Sequence, residues 1–308
     1  MIIRNPVIEK ELKTKMRGWK SPALITGYLA FLVLVIYLYF LASGQLEKYS
    51  MQYFNPRVAL NSYYFLASFQ FGVLLLIVPA LTGGAICGER ERQTLDLLLC
   101  TNFPAISIIT GKLIVSIAHI LLLLIASLPV LGSVFLFGGI GVSDILLLSL
   151  FYIVTAFMVG SLGIFYSTIF KKTITSIIVT YITLLVLLFG TLIIMFVWGS
   201  VNRIQNFPRI EHLYAFLFSN PIFGFVSIME GLNGGYGIST IFGIGYGSTQ
   251  LANTWVKPWM INAAFDILVT IVLVLISTRR IKPVKGISKL KNKEGKKQFV
   301  FYSSRTKG

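Results

Sequence analysis

The sequence predicts an all-α polytopic membrane protein with six transmembrane helices, and three observations carry that prediction. Apolar runs of about 20 residues, long enough to cross a bilayer as helix, recur along the chain. Charged residues make up 12% of the 308 residues, about half the fraction of a soluble domain. The formal charge of +16 collects at the two ends, beside the apolar runs, where orientation and anionic lipid account for it. A basic chain invites a nucleic-acid reading; this distribution argues against one.

The elements follow in order. Residues Met1–Pro22 are basic, with Val7, Ile8, Leu12, Met16 and Trp19 at helical spacing, and read as an amphipathic interfacial helix (1–22) opened by Asn5-Pro6. Gly18 and Ser21-Pro22 should break it before a first span at Ala23–Ala42. That span is too long for the apolar core of a signal peptide, so a retained helix is expected. Gly44–Ser62 is polar, and Tyr63–Ile86 is the second span, with Gly84 and Gly88 forming a GxxxG that would allow close helix contact. Ile106–Phe137 is the third span, overlong and holding Pro129; tilting or a short preceding helix would accommodate its length. Asp144–Phe170 and Ile174–Trp198 are the fourth and fifth, joined at Lys171-Lys172. His212–Met229 is apolar but interrupted by Asn220-Pro221, so an outer re-entrant region of two short helices (about 207–247) fits better than a span. Trp259–Thr278 is the sixth span and Arg279–Gly308 a basic tail. The domain division is therefore 1–22, 23–278 and 279–308.

Six spans with both ends cytoplasmic leave only Lys48, Arg57, Arg203, Arg209 and Lys257, of 27 Lys and Arg residues, on the outer side. The positive-inside rule demands that asymmetry. A seventh span at His212–Met229 would put the basic tail outside.

One charged stretch, Gly88-Glu-Arg-Glu-Arg-Gln-Thr-Leu-Asp-Leu-Leu-Leu-Cys-Thr101, lies between the second and third spans. Read as a helix, Glu89, Arg92 and Asp96 share a face, with Leu95, Leu98 and Leu99 as an apolar strip beside them. Such a helix at a membrane boundary must lie on lipid or dock into a partner; a solvated loop helix is the plainer reading. Cys87 and Cys100 have no metal-like spacing and are expected to be reduced, small apolar fillers.

Catalytic signatures are missing from the sequence. Gly111-Lys112 is followed by leucine and lacks the upstream glycine of a P-loop, and no HExxH or GxSxG occurs. No cofactor or metal is expected on this chain. Two ionisable groups fall within spans, His119 and Asp266, and such groups are functional candidates because they are costly in lipid. For His119 the plainer reading is a neutral imidazole hydrogen-bonded to a neighbouring helix. For Asp266 it is pairing with Asn262 or exposure in a wet cavity.

The arrangement as a whole resembles the membrane subunit of an ABC transporter of the ABC-2 type. The resemblance rests on the stretch from Gly88 to Leu99 with Gly111-Lys112, and on Asn5-Pro6-Val-Ile-Glu-Lys-Glu-Leu12 with Arg17-Gly18. It covers nearly the whole chain and implies an ABC-2, type V exporter-like permease fold. It also implies that residues 89–101 form a coupling helix seated on a separate ATPase. Glu89, Arg90, Glu91, Arg92 and Thr94 would lie at that contact, with Leu95, Leu98 and Leu99 packing there. ATP and Mg would be bound by the partner ATPase. A second permease chain, identical or related, would complete the pathway between spans two and five, in the cell membrane. Asp96, Asn102 and Ile106-Ser107 depart from the usual pattern. A non-transporting anchor or sensor for an ATPase, or an integral membrane enzyme, are the alternatives.

Overall fold

The computed structural model describes residues 19–42, 56–95, 104–135, 140–194, 197, 219–232 and 257–281. Among them there are helices and turns and no strand. The helices are α1 (Lys20–Ala42), α2 (Pro56–Thr82), the short α3 (Cys87–Glu91), α4 (Ala105–Phe135), α5 (Val142–Ile169), α6 (Thr173–Leu185, continuing through a π-helical turn at Val186–Gly190), α7 (Pro221–Leu232) and α8 (Pro258–Arg280). Six of them are long and apolar enough to cross a membrane, which is the all-α polytopic architecture expected.

Helix ends differ from the hydropathy boundaries in instructive ways. α1 runs through Ser21-Pro22, because a proline in the first turn forfeits an N–H that has no intrahelical acceptor there. α2 begins at Pro56, seven residues before the apolar run at Tyr63, for the same reason. Hydropathy locates where lipid begins, whereas backbone hydrogen bonding carries the helix further. α2 ends at Thr82 and residues 83–86 are a turn, within an apolar candidate span that runs from Leu60 to Glu91. Met1 to Gly18 of the interfacial helix expected over 1–22, the part of the 279–308 tail from Lys282, and the first of the two re-entrant helices lie outside the described residues; residues 20–22 belong to α1 and residues 279–280 to α8.

α5 is the central helix. Its apolar window is 61% buried, against 11% for α1, and it packs on α2, α4, α6 and α8. The larger core joins α1, α2, α4, α5 and α7 around Phe71, Phe151, Tyr152 and Phe225. The Phe71 and Phe225 rings stack with centroids 4.7 Å apart, and Tyr152 donates to the Ala67 carbonyl at 2.7 Å. Gly163 of α5 allows the closest approach: a Cβ there would meet Thr82 Cβ at 2.9 Å and Gly83 N at 3.1 Å.

α7 is a helix of 12 residues, about 18 Å long at 1.5 Å per residue, too short for a hydrocarbon layer of about 30 Å. Asn220 starts it, its Oδ1 accepting from Ile222 N at 2.8 Å. The same side chain donates to Leu188 O at 2.9 Å and Thr191 Oγ1 at 2.6 Å, so α7 is tied to the π-helical turn of α6. Asn220-Pro221, legible in sequence as an interruption, is an N-cap followed by a first-turn proline.

Candidate functional site

The charged stretch between the second and third spans sits where the C-terminal ends of α2 and α5 meet the N-terminal ends of α4 and α6. Its backbone is anchored first. Ile86 N and Cys87 N both donate to Ser167 Oγ at 2.9 Å, which satisfies two of the N–H groups that a helix start leaves open. The buried Cys87 thiol points to the carbonyls of Ser167 and Phe170, at 3.1 and 2.9 Å.

Two neighbouring side chains then grip two helix ends. Arg90 donates to Phe170 O at 2.9 Å and Thr168 O at 3.4 Å, placing a cation at the C-terminus of α5. Glu91 accepts from Thr173 N and Thr173 Oγ1, both at 2.7 Å, placing an anion at the N-terminus of α6. Each charge meets the helix end whose dipole favours it. Lys172, the N-cap position of α6, makes no side-chain cap; Glu91 supplies it from 82 positions earlier.

Glu89 faces the other way. It forms an ion pair with Lys112 of α4, Nζ to Oε1 at 3.2 Å, and accepts a short hydrogen bond from the Thr94 hydroxyl. Leu95 is buried with Ile86, Ile109, Leu113, Ile117, Ile164 and Ile281 in a second, smaller core. Arg92 and Gln93 are exposed. Gln93 has φ of 58°, the left-handed conformation that closes a helix C-terminus.

Three sequence expectations need correction here. The stretch 89–101 is not one continuous helix: α3 ends at Glu91, Gln93 reverses the chain, and helix resumes at Leu95. The face read for Glu89, Arg92 and Asp96 is interrupted at Gln93, and Asp96 lies outside the described residues. Leu95 packs inside this chain and is not free to enter a partner's groove. Leu98, Leu99 and Cys100 lie outside the described residues. The GxxxG does not act as a pair either. A Cβ on Gly84 would meet Thr173 Cγ2 at 2.9 Å, while Gly88 has open space around it, and Gly83 rather than Gly88 joins Gly84 in facing α6.

His119 is half-buried on α4, about two turns beyond Lys112. Asp266 is fully buried on α8. Asn262 turns its amide to Asn220 O at 3.1 Å, and neither carboxyl oxygen of Asp266 has a hydrogen-bond partner among the described residues. Sequence reasoning missed Ser167, Thr168, Phe170 and Thr173. Lys112 carried the one usable signal, a basic residue within an apolar helix start that must find an acid nearby.

The fold and this stitched end define a multi-pass α-helical membrane protein with a cluster of charged contacts between its second and third spans. Its sequence matches the family described as ABC-2 family transporter protein over residues 5–279, nearly the whole chain, and the chain belongs to that family. It is a membrane permease subunit of an ABC transporter and is not itself the ATPase. Permeases of this family generally work with ABC ATPase partners. Comparison with individually curated proteins finds no match.

Proposed function

We propose that this permease belongs to an exporter and that the stretch from Gly88 to Thr101 receives motion from a separate ATPase subunit. One observation carries the reading: Glu89, Arg90 and Glu91 tie the base of this stretch to α4, α5 and α6 at once. A push on the exposed turn at Arg92–Gln93 would reach three spans through these contacts. Alternating access requires such a linkage. Arg92, with Leu98 and Leu99 beyond it, then seats on the ATPase, while Glu89, Arg90, Glu91, Thr94 and Leu95 hold the element to the bundle.

ATP and Mg belong to the partner. The distribution of Lys and Arg supports cytoplasmic termini in a cell membrane. The apolar windows of α1, α6 and α8 are only 11%, 17% and 17% buried. That leaves faces for lipid and for a second permease chain.

The test is co-purification of the tagged chain with the ATPase encoded beside it. Arg92→Glu/Leu98→Asp should lose the ATPase. Glu91→Gln should keep it but blunt the stimulation of ATP hydrolysis by transported compounds. If the double variant retains the ATPase as wild type does, the stretch is a surface loop and the reading fails.

A further inference from the structure

α8 is built inside out. Its buried residues are Asn262, Asp266 and Ser277, whereas Phe265, Leu268 and Val272 are exposed. Asn262, Asp266, Thr270 and Ser277 share one face by helical spacing, and the most extensive helix contact among the described residues is that of α8 with α5. Thr155 of α5 is also fully buried. Its hydroxyl is the side-chain group among the described residues that bears on the Asp266 carboxyl. Yet neither Asp266 oxygen nor Thr155 Oγ1 closes a hydrogen bond. Thr270 donates to the backbone carbonyl of Asp266, not to its side chain.

We propose that Asp266 and Thr155 form a proton-binding site inside the membrane, occupied while α8 is closed on α5. Among the described residues the Thr155 hydroxyl is the one group at hand to donate to an ionised carboxylate sealed there, and a single hydroxyl does not offset the penalty of desolvating the charge. The uncharged acid removes most of that penalty and turns the group into a donor, for which Thr155 Oγ1 is the acceptor at hand. Among the described residues no basic side chain is bonded to the Asp266 carboxyl. The titratable groups on the helices packed against α8 are Asp144, Tyr152 and Tyr166 of α5, Lys112 and His119 of α4, and Glu230 of α7. Lys112 is engaged with Glu89, Tyr152 with Ala67 O, and Asp144 with Gly141 N. Separation of α8 from α5 would admit water, allow ionisation and release the proton, so opening this seam is a proton-linked step.

The test is infrared spectroscopy of the full-length chain in lipid nanodiscs, as the difference between wild type and Asp266→Asn at neutral pH. It needs no ATPase and is independent of the transport reading. The expected result is a protonated-carboxyl C=O band in wild type that is lost in Asp266→Asn and shifted in Thr155→Val. Asp266→Glu, which keeps the acid, should move the band without abolishing it and serves if the asparagine variant does not fold. Carboxylate bands in place of the acid band would overturn the proposal. Bands that also respond to exchanging sodium for potassium would assign the site to an alkali cation instead. An acid band unmoved by Thr155→Val would refute the pairing.

Discussion

Replacing Glu89 with alanine removes the carboxylate that pairs with the Lys112 ammonium, and the cost can be worked from the geometry. The Lys112 side chain is 5% exposed and that of Glu89 30%. Breaking a fully buried pair costs about 3–5 kcal/mol, whereas an exposed pair is worth about 0–1 kcal/mol. With one partner buried and the other partly wet, the ion-pair loss should be about 2 kcal/mol, between these limits. The Thr94 hydrogen bond adds about 1 kcal/mol. The sum, about 3 kcal/mol, lowers the folded-to-unfolded ratio roughly a hundredfold. Lys112→Met should be far milder, because methionine fills the same volume and leaves Glu89 with Thr94 and water. Glu89→Ala/Lys112→Met should then recover much of the single-variant loss, giving a coupling of about 2 kcal/mol. Unfolding in mixed micelles by titration with a denaturing detergent, followed by circular dichroism, measures all four species. A Glu89→Ala loss under about 0.5 kcal/mol, or a double variant no better than Glu89→Ala, would refute the reasoning.

Other perturbations read other contacts. At Gln93, where φ is 58°, the stability order should be Gly, then Gln, then Val, with Gln93→Val losing about 1 kcal/mol. The same unfolding assay checks it, and valine equal to glutamine would count against the left-handed turn. Gly163→Ala should lose about 1–3 kcal/mol, since its Cβ would press on Thr82 Cβ and Gly83 N. Gly72→Ala, with nothing within 4 Å, is the control and should fold with wild-type yield on fluorescence-detected size exclusion.

The charged turn shows how far local reading reaches. Its position between the second and third spans, its acids and bases, and its place in the family pattern are all legible in order along the chain. Its internal shape is not. Nothing in Gly88–Thr101 announces that Gln93 takes a left-handed conformation, a state more often filled by glycine. Nor does it announce that Leu95 turns inward, because that depends on Ile109, Ile164 and Ile281 gathering beneath it. A continuous helix is the sensible expectation from spacing alone. The tertiary surroundings override it.

What the sequence by itself determined is the number of spans, their order and the short apolar segment that cannot cross. Those features follow from transfer free energies summed over about 20 neighbouring residues, a local quantity. Where each buried polar group finds its partner was decided only by the packed structure. Glu91 meets Thr173 across 82 positions, and Asn262 meets Asn220 across 42. Asp266 loses the partner that its own helix offered. Those outcomes depend on which helix faces lie together, and lipid, which solvates every apolar face alike, supplies no local cue to that choice.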